Sequence, residues 1–311
     1  MDTVLVSPGT YNENIMLKDG VNVMSTDGRA TTTISSGSGA VVTSVGLCDL
    51  TLLSGFTIDG QGTVPAGVDC WMSYVRIEDC SILNCTNGVS SRYGDASTFS
   101  GNHITANSNG LAVADSAAPF LCGNVIDLNT FTGIYNTGEP GPEVGCTLGD
   151  ANDIMDNEFF QVFNLAGITV DADYNYWGGL CVGDSLFYGL VDYVPWTDAT
   201  HTEIYTECGT GVDDGPAVVT PYLSPNFPNP FNPSTAIQYR VPSPGGRVTL
   251  TVYGLSGRLV RTLVDADKGG GEYVAVWRGL DEQGRQMGSG VYFYKLTAGK
   301  FTQTRRMVLL K

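Results

Sequence analysis

The sequence is poor in charge. Asp, Glu, Lys and Arg make up 15% of its 311 residues, well under the usual quarter. No stretch sustains apolar residues at i, i+3, i+4 and i+7, so helix is expected to be minor. No run of 18 or more apolar residues exists, which excludes a membrane-spanning helix. There is no CxxC, and His103 and His201 are the only histidines, so nothing has zinc-site spacing and no metal ligand set is expected. Basic residues are scarce in the first two thirds, where only Lys18, Arg29, Arg76 and Arg92 occur. No signal peptide is visible, because Met1 is followed at once by DTVLVSPGTY, which reads as strand and turn.

Glycine, by contrast, is abundant. The 40 glycines are about twice ordinary usage and point to many tight turns. An apolar content of 42% argues against disorder, and together these features read as all-β. The net charge of −16 is unevenly split. Residues 1–210 carry 25 acidic against 4 basic residues, a net −21; residues 211–311 carry 7 against 12, a net +5. A change of sign at one point marks a domain boundary. The acidic part would repel nucleic acid and acidic polysaccharides, so no nucleic-acid partner is expected.

A repeat organises the first part. GNHITANSNGLAV (101–113) aligns with GNVIDLNTFTGIYN (123–136) and ANDIMDNEFFQVFN (151–164). Ile82, Ile104, Ile126 and Ile154 fall in one column, at steps of 22, 22 and 28 residues. Two residues before them sit Cys80, Asn102, Asn124 and Asn152; three after sit Cys85, Asn107, Asn129 and Asn157. A step near 22 fits one coil of three short strands and three turns. The longer step is expected to reflect a loop insertion, GEPGPEVG (138–145), since Gly and Pro are turn formers. Coils stacked at about 4.8 Å would turn the Ile column into a continuous apolar ridge. The Asn columns would hydrogen-bond side chain to side chain at the turns and tolerate left-handed backbone there.

These repeats resemble the right-handed parallel β-helix repeats of the pectin-lyase-like superfamily, which includes periplasmic copper-site assembly proteins and carbohydrate-active enzymes. VLVSPGTYNENIMLKDGVNVMS (4–25) resembles that group's entry coil. ADYNYWGG (172–179) and VDYVPWTD (191–198) resemble its closing coils, with Trp177 in the Ile column. The resemblance covers about 1–208 and speaks to fold rather than activity. Because such a solenoid normally carries an N-terminal cap, the chain is expected to begin inside a longer gene.

Eight cysteines are compatible with an oxidising compartment. Cys80 and Cys85 are five residues apart along a strand, roughly 16 Å, too far for a disulfide; they are read as small buried ladder residues. Cys181 and Cys208 bracket the end of the solenoid and are the expected disulfide. Cys48 with Cys70 and Cys122 with Cys146 lie roughly one coil apart, and their pairing stays open.

Residues 209–222 are linker-like. Beyond them, in 223–311, apolar and polar residues alternate through VTLTVYGL, RLVRTLVD, EYVAVWRG, GVYFYKLTAG and TRRMVLLK, with turn residues every 8–12 positions, which argues for a small sandwich. Four ordered motifs, PNPFNPST (228–235), VYGLSGRLVRTL (252–263), the Trp277-x-Gly279 pair and SGVYFYKL (289–296), resemble the type IX secretion sorting domain and the related Ig-like domain of flagellar hook-capping proteins. That resemblance implies the secretion machinery as partner and a secreted or outer-membrane-surface location. A plain Ig-like spacer is the alternative.

Enzymes on the β-helix fold use clustered carboxylates with Ca²⁺ and a basic residue, or two or three Asp on neighbouring coils. The sequence offers Asp59, Glu78, Asp79, Asp95, Asp115, Asp127, Asp153, Asp156 and Glu158, read as solvated acidic turns; Arg76 with Asp79 is the candidate catalytic pair of the alternative reading. His103 reads as a surface turn residue. No cofactor is expected, and a Ca²⁺ site among the acidic turns has no loop motif behind it. Tyr74, Tyr93 and Tyr135, with Phe159, Phe160 and Phe163, are the aromatic candidates for stacking on sugar rings. The expectation is an exported, non-catalytic β-helix protein, structural or glycan-binding; a polysaccharide lyase or glycoside hydrolase working on a lateral face is the alternative.

Overall fold

The computed structural model describes residues 2–48, 51–145, 151–207, 221–226, 229–242 and 244–310. The chain divides into two compact units, Met1–Thr210 and Gly211–Lys311. The first is a right-handed parallel β-helix of about eight turns. Each coil lays down three strands, so three parallel faces run along the solenoid. The first face stacks Asp2–Val6, Val21–Ser25, Thr51–Ser54, Val75–Glu78, Thr98–Ser100, Phe120–Cys122 and Glu143–Val144. The second carries Ile34, Ile58, Ile82, Ile104, Ile126 and Ile154 in one register column. The third stacks Val42, Val68, Val89, Leu111, Ile134 and Val162. In two of the coils the second and third faces are one continuous strand, Thr57–Trp71 and Ser81–Arg92.

Period-2 alternation decides which residues point inward. The Ile and Val columns just named, with Leu53, Ile77, Phe99 and Leu121 from the first face, form one buried cluster. Trp177 follows Ile154 in the column through the Asp153–Tyr176 bridge and is buried in the same cluster. A third repeated residue type packs this interior. A Cβ on Gly67, Gly88, Gly110 or Gly133 would lie 2.6–2.9 Å from Cγ2 of Ile82, Ile104, Ile126 or Ile154 in the next coil.

The turns are built differently from expectation in two respects. Residues 138–142 form the same turn as 114–119 one coil earlier, tied by Glu139 N to Asp115 O at 2.9 Å and Glu143 N to Pro119 O at 3.0 Å. They are not an insertion. Five of the six extra positions enter after Val144, where ten positions separate it from Ile154 against five between their partners Leu121 and Ile126; the sixth lies between Ile126 and Ile134, eight positions apart where Ile104 and Leu111 are seven. Left-handed backbone also falls one residue before the ladder positions. Asn84, Ala106, Leu128 and Asp156 have φ of 58°, 55°, 51° and 53°, each preceding Cys85, Asn107, Asn129 or Asn157.

The C-terminal unit is an antiparallel sandwich. One sheet holds Tyr222–Leu223, Thr235–Val241 and Gly271–Trp277; the other orders Leu259–Lys268, Gly246–Gly254, Gly290–Ala298 and Phe301–Leu309. Trp277, Tyr239, Tyr294, Leu250 and Met307 fill the space between them. Tyr294 OH donates to Ser224 O at 2.7 Å and Trp277 Nε1 to Leu280 O at 2.9 Å, so both aromatics satisfy their polar ends. No helix among the described residues is long and apolar enough to cross a membrane.

Candidate functional site

The Asn columns are structural in what they touch. Asn102 Oδ1 accepts from Cys80 N, while its Nδ2 donates to Ile77 O and to Asn124 Oδ1. Asn124 does the same onto Asn152, and Asn152 onto Asn175, at 2.9–3.1 Å. The second ladder runs from Cys85 N through Asn107 and Asn129 to Asn157. Each amide thus satisfies backbone groups that a buried turn would otherwise strand. Asn175 extends the ladder by one coil, two residues before Trp177 just as each earlier Asn stands two before its Ile. Cys80 and Cys85 begin the two ladders as buried free thiols, and burial pushes both up to about 12.

Cys122 and Cys181 are each disulfide-bonded. Cys208, the expected partner of Cys181, lies outside the described residues, as does Cys146. Cys48 and Cys70 are both free, so that pairing does not form: Cys70 points into the core opposite Ser44, whereas Cys48 sits exposed on a turn.

The structure does not bring Arg76 and Asp79 together. Arg76 pairs with Glu78 on its own strand, and Asp79 meets Arg29 Nη1 at 3.4 Å. Arg29 also donates to Cys80 O and Gly101 O, bridging turns of successive coils. His103 is in a strand rather than a turn; its Nε2 lies 2.9 Å from Asp127 Oδ1 on the second face, and His201 Nε2 lies 2.9 Å from Asp153 Oδ1. Asp59 accepts from Gln61 N and Asn84 Nδ2. Asp95 is buried, held by Ser91 and Ser97 hydroxyls at 2.6 Å, and burial raises its pKa.

The outward side of the third face is where aromatic and charged groups converge. Trp71 and Arg92 are neighbours on adjacent strands, and the Arg92 guanidinium lies over the indole at 4.5 Å. Arg92 Nη2 contacts both carboxylate oxygens of Asp69 at 2.9 and 2.8 Å. Tyr93 stands beside Trp71, ring centroids 5.3 Å apart, and is 48% exposed. Further along the same face Tyr135 stacks on Phe163 and Phe163 on Tyr188, at 5.6 and 4.7 Å. Phe159 and Phe160 pack against Phe131 and Phe163 from the side. Burial raises the Tyr135 phenol. Tyr74 lies exposed in the turn that follows Trp71. Sequence reading found the tyrosines but not Trp71 or Arg92, which become neighbours only through the strand register.

No curated protein matches the chain. Among solved structures, dimeric latent PorU from Porphyromonas gingivalis is 20% identical over 32% of this chain and 10% of its own, with a TM-score of 0.26. PorZ of the same organism, described as an essential bacterial surface component of the type-IX secretion system, is 21% identical over 29% of this chain and 11% of its own, with a TM-score of 0.21. The chain thus spans about a tenth of either protein. The FlgD Ig-like domain model matches residues 231–300. The model for the periplasmic copper-binding protein NosD matches residues 9–180.

Copper takes soft thiolates and thioethers or imidazoles. Among the described residues no three His, Cys, Asp or Glu side chains gather in a metal-holding group. The buried thiols Cys80 and Cys85 are held protonated and donate to Glu78 O and Leu83 O, and each histidine faces a single aspartate. These residues do not fit a copper site. The likeness is one of the solenoid itself, and since it extends over more than half of the sequence, the chain belongs to the periplasmic copper-binding protein (NosD) family.

Proposed function

We propose that the protein is an exported β-helix protein, surface-displayed or secreted, whose solenoid serves a structural or glycan-binding role and whose Ig-like unit is read by a type IX secretion machine. The observation that carries the export reading is how PNPFNPST is used. Phe231 is buried; its N–H donates to Val308 O and its carbonyl accepts from Leu310 N, both at 2.9 Å, while Asn229 Oδ1 accepts from Val308 N. The motif therefore fixes the last strand, Phe301–Leu309, and blunts a free sheet edge. Disulfide-bonded Cys122 and Cys181 agree with an oxidising destination.

Fusing residues 215–311 to a periplasmic reporter, in a host with that machinery, is expected to carry the reporter to the cell surface. A reporter left in the periplasm contradicts the sorting role. The catalytic alternative draws on the His103–Asp127 pair on the second face. Release of unsaturated products or reducing ends from a polysaccharide panel, lost in His103→Ala, would favour it over a non-catalytic role.

A further inference from the structure

The register of the third face builds a trough that no single column shows. Arg92 aligns with Ala114 of the next coil, because Ser91 pairs with Val113. Ala112 lies between Ser90 and Tyr135. Two half-exposed alanines, Ala112 and Ala114, thus form a low floor. On one side the Trp71–Arg92 stack and Tyr93 rise above it; on the other stands the partly buried Tyr135, backed by the buried Phe163. Two strand spacings, about 10 Å, separate the Arg92 strand from the Tyr135 strand, with the Ala112 strand between them. That width admits a single sugar chain.

Two observations choose the occupant. The first is charge. The trough's only arginine is neutralised by Asp69 at 2.8 Å, and two of the other three basic residues of residues 1–210, Arg29 and Arg76, also face carboxylates. An anionic chain would meet a net −21 with its arginines already spent. The second is exposure. Met72 and Tyr93 hold φ of 46° and 54° in the turn at the trough's end, where glycine would be unstrained, and both side chains stay exposed. Gly46 and Asp115 hold the same left-handed backbone, φ 64° and 56°, at the matching place in the coils on either side, so the conformation belongs to the repeat and what marks this end is the exposure of the two large side chains. Aromatic walls with a few polar groups, here Asp69, Arg92 and the Tyr93 hydroxyl, suit apolar ring faces edged by hydroxyls.

We infer that this trough binds a neutral polysaccharide chain; the inference rests on the glycan-binding reading above and supplies its site. The test is affinity electrophoresis of the whole protein through gels containing galactomannan, mixed-linkage β-glucan, starch or polygalacturonate. Retardation by at least one neutral polymer and none by polygalacturonate is expected. Tyr93→Gly, which relieves the backbone, and Ala114→Arg, which fills the floor, should each weaken retardation at least tenfold with melting temperature retained. Retardation that survives both variants overturns the trough and leaves glycan binding standing elsewhere. No retardation by any of the four polymers overturns both, whereas preference for polygalacturonate overturns the neutral-chain inference and leaves glycan binding standing; neither outcome touches the secretion assay.

Discussion

Gly110 faces Ile126 across one coil so closely that a Cβ on the glycine would sit 2.6 Å from the isoleucine Cγ2 and 2.6 Å from Gly133 O. The backbone on one side of that contact cannot give way without breaking its own strand pairing, so Gly110→Ala is an overpacking change. It should destabilise the solenoid by about 1–3 kcal/mol, measured as a lower urea midpoint. Gly62→Ala, with nothing within 4 Å of its Cβ but φ of +77°, should show only the smaller backbone penalty of about 1 kcal/mol.

Asn124 sits mid-ladder. Its carbonyl accepts from Asn102 N and Nδ2, and its amide donates to Phe99 O and Asn152 Oδ1. Asn124→Ala strands those buried partners and should cost about 2–4 kcal/mol, the sum of a few unsatisfied groups. Asn87, whose side chain makes one side-chain bond, to Asn109, should cost about 1 kcal/mol when changed to Ala. Equal losses at the two positions would speak against the ladder.

Cysteine reactivity should sort by burial. Cys48 is free and exposed, whereas Cys70, Cys80 and Cys85 are free and buried, with thiols pushed well up by desolvation. Thiolate is the reactive form. At pH 8 iodoacetamide should label Cys48 in the native protein and the other three only after denaturation, as peptide mass mapping would show.

Asp95 gives a pH dependence of defined sign. Burial raises its folded pKa above the unfolded value, so between the two values the native state holds more protons than the unfolded state. Stability from this group therefore falls as pH rises through the folded pKa. Asp95→Asn removes the contribution: its unfolding free energy, compared with the parent's, should gain as pH rises above the ordinary carboxylate range and level off once Asp95 is ionised in both states. A constant difference throughout would refute the assignment.

What the sequence disclosed followed from repetition of one residue type. Ile82, Ile104, Ile126 and Ile154, with Asn at fixed offsets, exposed the coil length directly. Gly67, Gly88, Gly110 and Gly133 form an equally regular column, yet glycine is too common in this chain for the column to stand out. The misplaced insertion has a similar cause. Gly138 to Pro142 look like an addition because of their composition, but they occupy an ordinary turn. The trough was illegible because its members differ from coil to coil: Trp71, Arg92, Ala114 and Tyr135 share no residue type, and only strand register unites them.

Every surface described above depends on equivalent residues lying one strand spacing apart. Methyl-labelled isoleucine in a deuterated background reads this directly through nuclear Overhauser contacts. The account predicts cross-peaks linking Ile82 to Ile104, Ile104 to Ile126 and Ile126 to Ile154, with none between Ile82 and Ile154, which are separated by about 14 Å. Absence of the neighbouring contacts, or contacts that skip a coil, would contradict it.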